Sequence, residues 1–223
     1  MLILGVDTSG KGGSIALVEF EEGNARTLEM VALEGGTFSA QLVPQIADVL
    51  NRHGLSKHAI DGFAVVSGPG SFTGLRVGLA AIKALAEVLQ KPIAAVSLLE
   101  AVARVSELQG DVTAALDASR GEVYVTDFQI SGQPTNISHQ QLLTLAEFVS
   151  ANSDRRIVTP DSKIANFISE AGLSVTQIAR PHADIIARLG FEKLQAGEVI
   201  SPDALDANYI RRSDAEAKKS GGY

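Results

Sequence analysis

An aspartate and two hydroxyl residues follow the first apolar run of the chain. Asp7 ends the run 2–6, and Thr8 and Ser9 come directly after it. A carboxylate at the end of a strand can hold a metal-bound phosphate or a nucleophilic water, as in ATPases. The alternative is an Asx turn, in which the carboxylate accepts a hydrogen bond from its own backbone. The residues by themselves favour the Asx turn.

A glycine-rich segment, residues 68–74, lies between a second apolar run and a long helical pattern. Its small residues are Gly68, Gly70, Ser71 and Gly74. Free N–H groups at a helix N-terminus attract anions, so the position is typical of a phosphate cradle. The spacing fits neither the P-loop nor the dinucleotide fingerprint. It favours the alternative, a tight turn with close backbone approach in which Ser71 or Thr73 caps the helix.

The pattern around Asp7 recurs later in the chain. Asp117 again ends an apolar run, is followed by a small-polar turn, and precedes a second strand pattern over 122–130. Such self-similarity is typical of a duplicated fold, but two apolar runs that end in aspartate also arise by chance, so the sequence leaves the duplication open. Asp117 has the same two interpretations as Asp7, and Arg120 adds a contact to an anion or a protein partner.

The sequence contains no residue pattern that indicates metal-dependent or serine-hydrolase catalysis. His53, His58, His139 and His182 form no i, i+4 pair and have no carboxylate at metal-ligand spacing. Ser71 does not lie in a Gly-x-Ser-x-Gly elbow. The sequence therefore predicts no catalytic residues and no metal ligands.

The apolar periodicity and the turn residues of the sequence predict the strands and helices that position the candidate functional residues. A hairpin is expected over 2–6 and 14–20, helices over 37–51, 73–90 and 98–108, and strands over 62–66 and 93–96. Later elements are strands over 115–117, 122–130 and 156–159, a turn over 131–134, and helices over 141–151, 164–171 and 183–196. These elements predict an N-terminal lobe of residues 1–103 and a smaller C-terminal lobe of residues 104–223, with an extended tail after 201 whose last residues are disordered.

The helix over 73–90 is unusually apolar. Its strongly polar residues, Arg76, Lys83, Glu87 and Gln90, lie on one narrow stripe. One sheet face does not cover the remaining arc, so a second helix is needed. The helix over 37–51 can supply it within the chain, or the two helices can meet counterparts from another chain as a bundle. The width of the arc favours the intermolecular arrangement.

Composition narrows the class of protein. The chain has 223 residues, of which 45% are apolar, and a net charge of −7. The negative charge opposes unaided binding to a phosphate backbone, so any RNA would be held by another subunit. With no cysteine, no signal-like start and no uninterrupted apolar run, we expect a cytoplasmic protein that does not span a membrane.

Four segments together resemble the TsaB (YeaZ) family of the bacterial machinery that makes threonylcarbamoyladenosine in tRNA. They are residues 7–9, 68–78, 117–124 and 209–211. The resemblance implies an α/β fold of the two-lobed actin-like ATPase type, a duplicated ribonuclease H-like fold with an abbreviated second lobe. One departure is Phe38, because relatives often have a histidine in this segment, and a role for that histidine does not carry over.

The resemblance also implies a function. The chain would be a non-catalytic partner subunit that binds the catalytic paralogue TsaD and, with it, the ATPase TsaE. It would have no cofactor of its own, although ATP or ADP with Mg could bind at the assembled complex, and it would contact tRNA only indirectly. A homodimer through the same helices is a further option when the partner is absent. The alternative function is a self-sufficient actin-like ATPase or small-molecule kinase.

Two residue sets follow from these interpretations. The candidate nucleotide-binding residues are Asp7, Thr8, Ser9, Gly68, Gly70, Ser71, Gly74 and Asp117. The candidate partner-interface residues are Leu42, Ile46, Val49, Leu75, Arg76, Leu79, Ile82, Lys83, Ala86 and Arg120.

Overall fold

The computed structural model describes residues 1–151 and 155–208, which form two compact units. Unit 1 comprises residues 1–97 and 181–208, and unit 2 comprises residues 98–180. The strands are β1 (Leu2–Asp7), β2 (Gly13–Glu21), β3 (Asn24–Leu33), β4 (Gly62–Gly68), β5 (Ile93–Ser97), β6 (Gly110–Asp117), β7 (Glu122–Ser131), β8 (Gln133–Asn136), β9 (Gln141–Thr144), β10 (Arg156–Thr159) and β11 (Val175–Gln177). The helices are α1 (Phe38–Arg52), α2 (Phe72–Leu89), α3 (Leu98–Val105), α4 (Leu145–Ala151), α5 (Ser162–Glu170) and α6 (Ala183–Gln195), with a 3-10 turn at Lys57–Ala59.

The sheet of unit 1 has the strand order β3-β2-β1-β4-β5. Strand β1 pairs antiparallel with β2, so that Asp7 lies opposite Ser14, and parallel with β4. Every residue of β1 is buried. This is expected of a central strand whose two faces are both covered by helices.

Close backbone contacts show which helices cover each face of this sheet. A Cβ on Gly5 would lie 2.1 Å from the carbonyl oxygen of Ala183, so α6 lies directly on that face. The Ser14 hydroxyl, on the same face, accepts a hydrogen bond from the Ala183 N–H at 2.9 Å. The neighbouring Gly13 points to the other face, where a Cβ would meet the Phe38 ring at 2.9 Å. Helix α1 therefore lies opposite α6, and α2 packs against α1 and β4.

The sheet of unit 2 repeats this arrangement. Its order is β11-β10-β6-β7-β8, with β9 also paired to β7. Strand β6 is antiparallel to β7 and parallel to β10, as β1 is to β2 and β4. Read in the opposite direction, the two sheets have the same order and the same strand directions. The duplication that the sequence left open is present in the topology.

The core of unit 2 lies between its sheet and helices α4 and α5. Seven buried residues form it: Ala115, Val123, Val125, Phe148, Ile157, Ile164 and Ile168. Helix α3 packs on β6 and β7. Among the helices of the described chain, none is long and apolar enough to cross a bilayer.

Most predicted elements are confirmed within a few residues, but the helix predicted over 141–151 is wrong in its first turn. Residues Gln141–Thr144 form β9, which pairs with Glu122–Val125 of β7, and the helix begins only at Leu145. The turn predicted over 131–134 is shorter than expected, because β8 begins at Gln133. Strands β3, β8 and β11 were not predicted.

The division into units differs from the predicted boundary at 103/104. Helix α3 belongs with the second sheet, and α6 returns to the first. The reason is close packing: a Cβ on Gly190 of α6 would lie 2.2 Å from the Cβ of Ala64 in β4, so the helix backbone meets the sheet directly. The segment 209–211 of the family resemblance, and the end of the tail predicted to be disordered, lie outside the described residues.

Candidate functional site

The turn after β1 is built around the carboxylate of Asp7. Its Oδ1 accepts hydrogen bonds from the Ser9 N–H at 2.8 Å and from the Ser9 hydroxyl at 2.5 Å. Asp7, Thr8 and Ser9 are all buried. The bond from residue i to the N–H of residue i+2 is an Asx turn, which confirms the favoured interpretation of the sequence. The carboxylate does not project into solvent.

The glycine-rich segment packs directly on this turn. The Ser71 N–H donates to the Ser9 carbonyl oxygen at 2.7 Å. A Cβ on Gly70 would lie 2.5 Å from that same oxygen, and one on Gly74 would lie 2.0 Å from the Thr8 carbonyl oxygen. These distances leave no room for a side chain, so glycine is required at both positions. The prediction of a tight turn with close backbone approach is confirmed.

The start of α2 is capped as the sequence predicted. The Ser71 hydroxyl accepts a hydrogen bond from the Gly74 N–H at 3.3 Å, which satisfies one of the free donors of the first turn. Gly68, at the end of β4, has a φ of +136°, a conformation that other residues rarely adopt. The carbonyl oxygen of Ser67, the residue before Gly68, accepts a hydrogen bond from the Asn208 N–H at 2.8 Å.

The structure brings seven of the eight candidate nucleotide-binding residues together. They lie at the carboxyl ends of β1 and β4, where open α/β sheets bind ligands. The seven are Asp7, Thr8, Ser9, Gly68, Gly70, Ser71 and Gly74. Nucleotide binding by them stays a prediction. The eighth, Asp117, belongs to unit 2.

Asp117 forms the counterpart of the first turn within unit 2. Its Oδ1 accepts from the Ser119 N–H at 2.8 Å, which is again an Asx turn. Its own N–H donates to Oδ2 of Asp161, the residue before α5, at 2.7 Å. Ser119 and Arg120 both have left-handed backbone conformations, with φ of +62° and +57°, and Arg120 is exposed at the tip. The sequence pattern placed Asp117 at the strand end that matches Asp7, but it gave no indication of the contact with Asp161.

The apolar residues predicted at the partner interface are covered by unit 1 itself. Each of them is at most 5% exposed: Leu42, Ile46, Val49, Leu75, Leu79, Ile82 and Ala86. This corrects the prediction, because these side chains fill the space between α1, α2 and the sheet and do not form an outer surface. Arg76 is exposed, with its guanidinium 3.7 Å above the Phe72 ring, and Lys83 is half-buried.

The outer sides of α1 and α2 still carry apolar residues. We call these residues the open helix face: Ala40, Val43, Pro44 and Ala47 of α1 and Val77, Ala80, Ala84 and Val88 of α2. Val77 is half-buried and the others are exposed, with Val43 at 52% and Val88 at 72%. Their spacings of three, four and seven residues place each set on one side of its helix. The interface residues predicted from the sequence did not include this face, because the apolar residues that were chosen are the ones that pack inward.

An ion-pair cluster ties the end of α1 to β3. Glu29 Oε1 accepts from Arg52 at 2.5 Å, and Glu29 Oε2 lies 2.9 Å from His53 Nε2. The hydrogen bond from Arg52 lowers the pKa of Glu29 below its ordinary value. Because these groups are partly exposed, solvent screens the pairs and their contribution to stability is small.

Metal-ligating residues do not cluster in the part of the chain that the structure describes. Within residues 1–151 and 155–208, no three carboxylate or imidazole side chains lie close enough to hold a metal ion. The geometry therefore offers no candidate metal centre in these ranges.

Comparison with known proteins places these features in context. A family model described as "TsaD: tRNA N6-adenosine threonylcarbamoyltransferase" matches residues 35–190. The "tRNA threonylcarbamoyladenosine biosynthesis protein TsaB" of Bacillus subtilis is 29% identical over 98% of this chain and 97% of its own length. The "tRNA N6-adenosine threonylcarbamoyltransferase" of Rhizobium leguminosarum is 38% identical over 48% of this chain and 34% of its own length. The solved structure of "YeaZ from Pseudomonas aeruginosa" has a TM-score of 0.76 and 26% identity, over 93% of this chain and 99% of that one.

Proposed function

The chain belongs to the TsaB (YeaZ) family, within the wider family described as tRNA N6-adenosine threonylcarbamoyltransferase, and we propose that it is the partner subunit of the TsaD paralogue. It has the duplicated α/β fold of actin-like ATPases. In this role it is needed for threonylcarbamoyladenosine formation in tRNA but does not transfer the group itself. The pattern of coverage supports a subunit role: the match covers 97% of the TsaB relative's length but only 34% of the transferase's.

The open helix face is the observation that carries this proposal. Apolar residues exposed in rows on two neighbouring helices are typical of a protein contact. Alanine and valine let the backbone of a partner helix approach closely and lose little side-chain freedom when they are buried. Two helices from each protein would then complete a bundle. Arg76 and Lys83, on the same helix, supply polar contacts beside these rows.

The state of Asp7 supports a division of labour. Its carboxylate is 2% exposed and its Oδ1 already accepts two hydrogen bonds from Ser9, so little of the group is accessible to a ligand in the isolated chain. We therefore place ATP or ADP with Mg at the assembled complex, where TsaE would also bind. The net charge of −7 supports indirect contact with tRNA. A cytoplasmic location stays a prediction.

Mixing the purified chain with TsaD of the same organism, and measuring the mass in solution, tests the proposal. We expect a complex with the native chain and a loss of affinity of about 100-fold or more for Ala84→Arg, because a long charged side chain separates closely packed helices. Arginine is a good helix former, so this exposed change leaves the fold intact. Phe167→Arg, at an exposed position of α5, is the matched control and should bind normally.

Four results distinguish the options. No complex with the native chain rejects the proposal, and equal binding by Ala84→Arg rejects the open helix face as its site. A homodimer of the chain alone, through the same face, would dissociate on dilution. Phosphate release by the isolated chain that disappears in Asp7→Asn would support the self-sufficient ATPase instead.

A further inference from the structure

Helix α2 rests on the side chain of Thr8. The Thr8 hydroxyl donates to the Gly74 carbonyl oxygen at 2.7 Å, and the residue is only 2% exposed. One turn later, a Cβ on Gly78 would lie 2.3 Å from Thr8 Oγ1. The threonine thus fills a notch that two glycines leave in the helix. Glycine inside a helix lowers its stability relative to alanine, so a close contact explains its presence at position 78.

The start of α1 lies close to the same turn. The Phe38 ring lies against the two glycines that flank the turn: it is 2.9 Å from where a Cβ on Gly13 would be, and 3.5 Å from a Cβ on Gly74. Phe38 is the first residue of α1 and is buried. The start of α1 therefore packs on residues that neighbour the turn formed by Asp7, Thr8 and Ser9, and the start of α2 contacts that turn directly.

We propose that the turn of Asp7, Thr8 and Ser9 fixes the position of α2, with Thr8 as the positioning residue, and that it thereby sets the affinity for the partner. We call this turn the latch. The Asx bonds of Asp7 hold the turn rigid, and Thr8 transmits its position to the helix through the notch. Val77 and Ala80 of the open helix face flank Gly78 on the same helix. Displacement of this part of α2 therefore moves the contact surface directly. The second half of the proposal rests on the proposed function.

A double-mutant cycle at the notch tests the latch, because the crowding depends on one atom. Gly78→Ala forces its Cβ against Thr8 Oγ1, so we expect the dissociation constant for TsaD to rise about tenfold, although alanine is the better helix former. In Thr8→Ala the crowding atom is gone, and the Thr8 Cβ would be 3.5 Å from the new methyl group. The further change Gly78→Ala should then have little effect on affinity. Thr8→Ser, which keeps the hydroxyl, should bind as the native chain does.

Amide hydrogen exchange over residues 72–79 of the isolated chain gives a readout without the partner. We expect exchange to be faster by about tenfold in Gly78→Ala and to be restored toward the Thr8→Ala rate in the double variant. Equal effects of Gly78→Ala in both backgrounds would overturn the latch. Faster exchange with an unchanged dissociation constant would overturn its link to the partner. If the native chain binds no TsaD, the proposed function fails, and the exchange rates alone decide whether the latch seats α2.

Discussion

Unit 1 and unit 2 have the same strand order and the same Asx turn, but different groups pack on that turn. In unit 1 the backbone of residues 70–71 and a helix of 18 residues lie on it. In unit 2 the carboxylate of Asp161 accepts a hydrogen bond from the Asp117 N–H, and the helix that follows Asp161 has nine residues. The difference teaches that a repeated aspartate need not have a repeated task. In unit 1 the turn contacts a long helix through the Thr8 side chain, whereas in unit 2 the turn donates a backbone hydrogen bond to the Asp161 carboxylate.

The largest effect on stability should come from a substitution at the close contact between Gly74 and Thr8 in unit 1. Gly74→Ala places a Cβ 2.0 Å from the Thr8 carbonyl oxygen, a backbone atom that cannot move aside. We expect a loss of about 3 kcal/mol or more in the free energy of unfolding, measured by urea denaturation. The control in unit 2 is Ser162→Ala at the exposed start of α5, where the change should stay below about 0.5 kcal/mol. Equal stability of the two variants would mean that the close approach at Gly74 is not needed.

The next effect compares the two aspartates directly. Asp7→Ala leaves the buried Ser9 N–H without its acceptor and should cost about 2 kcal/mol. Asp117→Ala removes the same bond at an exposed turn, where water can replace the carboxylate, and should cost less than about 1 kcal/mol. Unfolding of both variants under the same conditions checks the order. A larger loss for Asp117→Ala would contradict the greater contribution expected of the buried hydrogen bond in unit 1.

Substitution of Asp161 tests the hydrogen bond that its carboxylate accepts from the Asp117 N–H in unit 2. Asp161→Ala removes the acceptor of the partly buried Asp117 N–H, and we expect a loss of about 1 kcal/mol. Asp161→Asn keeps an oxygen that can accept this bond and should be nearly neutral. Faster amide exchange at Asp117 in the alanine variant, with no change in unit 1, would locate the effect. Equal losses in both variants would show that the charge, and not the hydrogen bond, matters.

The smallest effect concerns the start of α4, where Thr144 and Glu147 form a capping box. The backbone N–H of Thr144, and then its hydroxyl, hydrogen-bond the Glu147 carboxylate and lower its pKa below the ordinary value of 4.5. A lowered pKa in the folded state adds stability above the unfolded pKa, and this stability is lost as the pH falls through the folded pKa. The native chain should therefore exceed Glu147→Gln in stability at neutral pH.

Denaturation of both proteins across the acid range checks this pH dependence. The difference between them should shrink as the pH falls below 4.5. If the difference in stability between the two proteins did not change with pH, the Glu147 carboxylate would have no capping role. In unit 1 the first helix starts differently, since Thr37 at the start of α1 turns its hydroxyl toward the Glu34 carbonyl oxygen at 3.1 Å.

Local patterns in the sequence were enough to predict the strand–turn–strand units and the family. The apolar period, the aspartate and the small-polar turn all lie within a few neighbouring residues, so β1, β2, β6 and β7 could be placed. The capping role of Ser71 and the Asx turn at Asp7 also depend on residues two or three positions apart. Such features do not depend on the rest of the chain.

Contacts between distant residues could not be predicted in the same way. The side of α2 that faces the sheet depends on the contact of Thr8 with Gly74, which are 66 positions apart. The wide apolar arc of this helix was therefore assigned to a partner, whereas Leu75 and Ile82 pack inward. Likewise, Asp161 meets the N–H of Asp117 across 44 positions. Residues 141–144 pair with β7 because its edge is open there, a tertiary effect that their helical pattern did not contain.

The most direct test of the central claim is reconstitution of the modification. TsaD, TsaE, tRNA and the threonylcarbamoyl donor are combined with and without this chain, and threonylcarbamoyladenosine in the tRNA is measured. We expect product with the native chain and with Phe167→Arg, and little product without the chain or with Ala84→Arg. Full product without the chain, or with Ala84→Arg, would contradict a partner subunit that acts through the open helix face of unit 1.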